Sequence, residues 1–329
     1  MGWAMRMAAI RWVGWGIGMA ILIGLFLQID FRQVASLVTG FRWQFVAVLA
    51  FYALVFGLDT LGWRYAFRPS LQNQVPWFHL FRARLIGEAV NYVTPTAWIG
   101  GEPVKVTWLV RRHRIPLGAG ITSVVVAKTT FALSMLLFVF LGTAVAILSH
   151  PLPTALRYGI KVTLPILIAL IGCFLLVQFV KPFGRMMGGL THLGPAKWME
   201  SWHHRVKAWE EAVVKFYRHF PSSVLVSFLF HFLGWVAGAC EVFLILWWLG
   251  WRVPFLTAVA IEALWVLFKS TAFFIPASLG ASEGIGVMVC MGFGVGAVHG
   301  LALGLIRRLR ELVWVGLGLA DLGFGGTIR

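Results

Sequence analysis

Lys128, Arg307, Arg308, Arg310 and Glu311 fall deep inside runs of otherwise apolar residues, and Glu262 and Lys269 stand inside another. An ionised side chain at the centre of a bilayer costs about 2.5–3.5 kcal/mol on insertion scales. Groups that expensive are expected to face an enclosed polar cavity, pairing with one another or with a substrate. A second group begins at Glu88 and Asn91, three residues apart on one helical face. It continues through Thr94, Pro95 and Thr96 to Glu102 and Lys105; Pro276, Ser278 and Glu283 form a third. The candidate substrate-binding set is therefore Glu88, Asn91, Thr94, Pro95, Glu102, Lys105, Lys128, Lys269, Pro276, Ser278, Glu283, Arg307, Arg308, Arg310 and Glu311. Its chemistry is anion binding. Arginine offers phosphate a planar fork of donors, and the N-terminus of a half-helix adds backbone amides to the same anion. Cations outnumber acids in the set, so a phosphate headgroup would balance it. A plainer reading is that Glu88, Glu102, Glu262 and Glu283 only neutralise Lys128, Lys269, Arg308 and Arg310 within a packed core.

No catalytic set accompanies these charges. The sequence has no HExxH, no GxSxG, no Asp-rich metal motif and no Walker A, so neither an enzyme nor direct use of ATP is expected, and no cofactor or metal. Cys173, Cys240 and Cys290 stand singly in apolar runs without CxxC spacing and read as small core residues. His203 and His204 lack carboxylates at ligand spacing. His299 reads as a helix histidine with its polar needs met locally.

The elements that must position these groups are transmembrane helices. Of 329 residues 60% are hydrophobic and 12% charged, and mean hydropathy is +0.84, against about 25% charged in a soluble domain. A water-soluble fold is excluded. Apolar runs long enough to span a bilayer cover 10–29, 44–63, 117–148, 158–180, 222–249 and 297–324. The run at 10–29 follows Arg6 and Arg11 but is too long for a signal peptide's apolar core, so it reads as the first span. Two further stretches, 78–110 and 255–294, are interrupted by Pro and Gly at 94–101 and 275–280. Proline removes an amide donor, so each should form two half-helices meeting at a bend, packed in protein or lining a cavity. The expected architecture is all-α: six transmembrane helices plus two re-entrant helical hairpins in one membrane domain, 1–329.

Basic residues are crowded around the first broken stretch, from Arg64 to Arg114, and in the long loop from Lys181 to Arg218. The opposite loops carry only Asp30, Arg32 and Arg42, then Arg157, then Arg252. By the positive-inside rule both termini are cytoplasmic, and the net charge of +16 is a membrane-surface feature; nucleic acid is not an expected partner. Within the long loop, Trp198, Trp202, Val206, Trp209, Val213, Phe216 and Phe220 recur at three- and four-residue steps. They predict an amphipathic interfacial helix over 196–220.

The two broken stretches share a pattern. Pro95 precedes Glu102 by seven residues with Gly100 and Gly101 between; Pro276 precedes Glu283 by seven with Gly280 between. In the spans that follow, Gly120 and Lys128 align with Gly300 and Arg308 at an offset of 180. Three complete crossings separate the stretches, so they should enter from opposite faces, as in inverted-topology repeats (10–148 and 157–324) with a site at their interface. Gly292, Gly296, Gly300 and Gly304 repeat every four residues, a pattern that lets helix backbones touch within a chain or between copies in a homo-oligomer.

The segment Gly87-Glu88-Ala89-Val90-Asn91-Tyr92-Val93-Thr94-Pro95, followed by Gly100-Gly101-Glu102-Pro103, resembles the flippase-like family typified by the transmembrane part of lysylphosphatidylglycerol synthase. The Ile275 to Gly284 segment is similar to that family's second Pro-Gly-Glu block, and Arg308 to its charged position in the last helix. The resemblance covers roughly residues 10–324. It implies two inverted repeats around a lipid cavity and translocation of an anionic phospholipid or polyprenyl-type lipid between leaflets of the inner membrane. The sequence stops five residues after the last span, where full synthases carry an aminoacyl-transferase domain, so lipid synthesis is not expected. Lys128 stands where relatives more often carry Arg. The alternatives are a secondary transporter of a small polar metabolite, or a membrane-embedded lipid-modifying enzyme.

Overall fold

The structure, a computed structural model, describes residues 16–94, 100–180, 197–272 and 275–325. Every regular element among them is helical. In chain order these are α1 (Gly16–Gln28), α2 (Phe31–Gly40), α3 (Trp43–Tyr65), α4 (Pro69–Gln72), α5 (Trp77–Val93), α6 (Gly101–His113), α7 (Leu117–Ser149), α8 (Thr154–Val180), α9 (Lys197–His219), α10 (Pro221–Trp248), α11 (Phe255–Lys269), α12 (Ala281–Gly292) and α13 (Ala297–Gly325).

Five stretches are long and apolar enough to cross a membrane: α3, α7, α8, α10 and Phe255–Ala272, in which a 3-10 turn extends α11. The bent pair α1 and α2, at 98°, makes up to six. Three details differ from the sequence reading. Phe255–Ala272, expected as one arm of a re-entrant hairpin, is by itself long and apolar enough to cross. The residues after Asp30 form the helix α2 rather than a loop, because the Asp30 carboxylate caps it, accepting from Arg32 N at 2.9 Å and Gln33 N at 3.3 Å. The last helix, α13, is 29 residues long, yet Arg307, Arg308, Arg310 and Glu311 give it too many charges to pass as apolar. The start of the first predicted span and Pro95 lie outside the described residues.

The helices form one packed body. α3 and α10 lie side by side, α10 and α11 both pack on α7, and α13 runs against α12 and α5. One core cluster gathers Val242, Ile245, Ile261, Leu264, Leu301 and Ile306; a second gathers Trp63, Leu80, Ile86, Val106, Leu109 and Phe216. Small residues set the closest approaches. A methyl group on Gly101 would fall 1.9 Å from the Gly87 carbonyl oxygen, so α6 can rest on α5 only with glycine there. Gly300 lies against Val287 and Cys290 of α12, Gly304 against Glu283 and Gly292 against Leu156, so three of the four stripe glycines face neighbours within the chain.

The predicted amphipathic helix is α9. Its Val213 and Phe216 are buried, Trp209 lies against Gly118 of α7, Glu211 is half-buried and Lys215 is exposed. Tyr217 ties it to the bundle: its hydroxyl donates to Gln178 Oε1 of α8 at 2.6 Å and lies 3.0 Å from Thr129 Oγ1 of α7. The side chains of Trp198 and Trp202 lie outside what the structure describes.

Candidate functional site

The charges read from the sequence meet. Three adjoining cavities, of 310, 380 and 200 Å³, open between α3, α5, α6, α7, α10, α11, α12 and α13. Glu262 and Arg307 belong to the walls of the first and second, Lys269 and Glu311 to the second and third, and Glu88 to the first and third. Each predicted charge lines at least one of them.

In the first cavity, Glu102 near the start of α6 holds two lysines. Its Oε1 lies 2.8 Å from Lys128 Nζ of α7 and 3.1 Å from Lys105 Nζ one turn along α6. Lys105 in turn donates to Glu88 of α5 at 2.9 Å. Across the cavity α13 presents Arg307, which grips Glu262 of α11 with two parallel bonds of 2.7 and 2.8 Å, the bidentate geometry that makes Arg–carboxylate pairs strong. Arg310, one helical turn on, pairs with Glu241 of α10, and its guanidinium lies 3.9 Å from the Tyr52 ring centroid.

Arg308 faces the second cavity and has the densest set of partners. It donates to Glu283 Oε1 at 2.8 Å, to the Tyr92 hydroxyl at 2.6 Å, and to the carbonyls of Ala277 at 2.7 Å and Ser278 at 3.2 Å. Ala277 and Ser278 are in the left-handed region, at φ 52° and 47°. Such a turn costs roughly 1–3 kcal/mol per non-glycine residue, and the Arg308 fork, reading both carbonyls at once, offsets part of that. Glu311 completes the group, 3.4 Å from Arg308 and 3.5 Å from Lys269.

Three predicted residues act on backbone instead of lining the cavities. Asn91 Oδ1 accepts from the Gly101 amide at 2.7 Å, tying the end of α5 to the start of α6; Thr94 donates to the Val90 carbonyl at 2.6 Å; Ser278 contributes its carbonyl to Arg308. Pro276 opens the 3-10 turn that carries those carbonyls.

Sequence reasoning missed Asp59, His231 and Glu241 and assigned Arg84 to a cytoplasmic flank. In the structure Arg84 turns inward, and its Nη2 donates to Asp59 at 2.8 Å while His231 Nδ1 lies 2.8 Å from the other Asp59 oxygen. Asp59, His231 and Glu241 are each lone polar groups in long apolar spans, and that isolation is the signal that could have found them. With them included, the expected excess of cations disappears. Among the described residues the three cavities are lined by seven cations (Arg84, Lys105, Lys128, Lys269, Arg307, Arg308, Arg310). Seven acids face them (Asp59, Glu88, Glu102, Glu241, Glu262, Glu283, Glu311).

Pairing leaves particular atoms unmatched. Among the described residues, Arg84 Nε, Arg310 Nε and Trp235 Nε1 are buried donors without an acceptor, and all three residues line the first cavity. A buried donor with no acceptor is costly. These three donors have almost no surface open to the cavity, so an acceptor reaches them only if the ion pairs around them open.

Membrane-length apolar helices around a buried, charge-paired cavity define a multi-pass helical membrane protein. Its sequence matches the family model of the lysylphosphatidylglycerol synthase TM region over residues 11–319, and the chain belongs to that family. No curated protein and no solved structure matches it.

Proposed function

We propose that this protein translocates a lipid with an anionic, phosphate-bearing headgroup between the leaflets of the inner membrane, with both termini in the cytoplasm. The observation that carries the reading is the first cavity: arginine and tryptophan donors without acceptors, set among membrane-spanning helices. Phosphate oxygens match those donors in chemistry, and Arg84 and Arg310 supply charge as well as donors. The headgroup would enter by exchanging with the carboxylates that now hold the cations, each pair opening as the phosphate arrives. That exchange suits transport, because a site that binds through replaceable partners also releases.

Geometry around the cavity supports an inverted repeat. Glu102 pairs with Lys128, and Glu283, 181 residues on, pairs with Arg308, 180 residues on. Gly120 seats α6 against α7 through Val106 as Gly300 seats α12 against α13 through Val287. On this reading α5–α6 and α11–α12 are hairpins entering from opposite faces, and the site between them alternates its access.

A small polar solute is the second reading, favoured by the equal numbers of acids and cations. Native mass spectrometry of the purified protein separates the two. A retained phospholipid or polyprenyl phosphate that Arg310→Gln no longer holds supports the lipid reading, and a polar metabolite held without lipid supports the other.

A further inference from the structure

We propose that the headgroup crosses together with a proton, and that His231 carries it. The inference rests on the reading above, that the cavity takes an anionic headgroup, and adds how its charge is balanced.

With seven acids facing seven cations, the empty cavity is formally neutral while His231 is uncharged. An anionic headgroup entering alone would leave a net negative charge buried at membrane depth, which is unfavourable. One added proton restores balance, and the place for it is a group that can accept without surrendering a partner. His231 is that group. Asp59 is an acceptor, so the hydrogen between it and His231 Nδ1, at 2.8 Å, is the ring's own. The opposite nitrogen, Nε2, is buried and has no hydrogen-bond partner among the described residues. An empty-state imidazolium would bury a charged donor with no acceptor, so the resting ring is neutral with its Nε2 lone pair bare.

The unmatched carboxylate oxygens, Glu241 Oε1 and Glu283 Oε2, are poorer acceptors for this purpose. Protonating either carboxyl weakens an ion pair, with Arg310 or Arg308. Protonating His231 Nε2 breaks no existing bond, strengthens the bond to Asp59, and leaves the new Nε2–H to donate to the entering headgroup, the acceptor that the empty cavity lacks.

The surroundings fit both ring states. From α3 comes Asp59, from α5 Arg84 and Glu88, from α6 Glu102 and Lys105, and from α7 Lys128; α10 itself adds Glu241, α11 brings Glu262, and α13 brings Arg307 and Arg310 to the same cavity. α9 contributes no titratable residue to that lining. Arg84 shares Asp59 with His231, so charging the ring loosens Arg84 toward the phosphate. Phe131 of α7 meets the imidazole at 5.4 Å and 88°. Gly62 of α3 leaves room for the ring: a methyl group there would fall 2.6 Å from Nε2. The step is balanced. A proton leaves water on the entry side and forms the Nε2–H bond as the headgroup binds, and that bond breaks to water on the exit side as the headgroup leaves.

The test is calorimetric binding of short-chain phosphatidylglycerol to the detergent-solubilised full chain, at neutral pH, in two buffers of different ionisation enthalpy. The difference in apparent enthalpy counts protons taken up. The wild type should take up about one proton per lipid, and His231→Asn, which keeps a donor for Asp59 but has no basic nitrogen, close to none with weaker binding. Should that variant fail to fold, His231→Gln, which also keeps an amide donor and has no basic nitrogen, is read by the same criterion. Binding by the wild type with no proton uptake overturns the coupling and leaves the lipid reading standing. So does uptake that persists in a folded His231→Asn. Failure of the wild type to bind the lipid at all overturns the anionic-lipid reading and this inference with it.

Discussion

Arg307 and Arg308 are neighbours on α13 and do different work. Arg307 grips Glu262, which is only 3% exposed, and its guanidinium lies 5.0 Å from the Trp265 ring centroid. Removing one partner of such a pair leaves a buried charge uncompensated, at a cost of about 3–5 kcal/mol, whereas replacing both with apolar residues of similar size is often neutral. Arg307→Met should therefore lower the melting temperature in detergent sharply, and adding Glu262→Leu should restore most of the loss. Equal melting temperatures for the single variant and the wild type would show that the pair contributes nothing. Arg308 instead holds the Ala277–Ser278 turn, so its replacement would disturb the backbone as well as the charge. Positions in the middle of apolar runs made Arg307, Arg308, Lys128 and Lys269 legible in the sequence. Partners were harder. Asp59, His231 and Glu241 come from helices distant in sequence, and periodicity alone cannot tell which faces converge.

At the scale of elements, the breaks were readable because Pro and Gly punctuate them, and α9 was readable because its apolar residues keep a helical period. The helix α2 escaped notice because Asp30, Arg32 and Arg42 look like loop residues until the cap made by Asp30 is seen. The attachment of α9 was also invisible, since it depends on a three-way contact among Tyr217, Thr129 and Gln178. Tyr217→Phe removes the hydroxyl and leaves the buried Gln178 with one partner fewer, a loss of about 1–3 kcal/mol. The expected outcome is faster amide hydrogen exchange along Lys197–His219, with exchange in α10 unchanged. Exchange identical to the wild type would show that Val213 and Phe216 hold α9 without the hydroxyl.

For the whole molecule, the sequence supported a helical membrane protein with clustered interior charge, and the pairing pattern adds that the cluster is balanced. A balanced cavity is stable when empty and must exchange partners to bind, so its cations differ in how freely they can be removed. Lys128 is the most informative. It is part-exposed, and its partner Glu102 keeps a second cation, Lys105, at 3.1 Å. On the proposed function, Lys128→Ala therefore removes a headgroup contact without stranding a buried acid. In vesicles reconstituted with the protein and containing fluorescently labelled phosphatidylglycerol, dithionite added outside should quench label beyond the outer-leaflet fraction, which protein-free vesicles should not allow. Lys128→Ala should slow that additional quenching about tenfold, the loss of one charge-assisted contact, with an unchanged melting temperature. Quenching by the wild type no greater than in protein-free vesicles, or a Lys128→Ala rate equal to the wild type, would contradict passage of the lipid through this cavity.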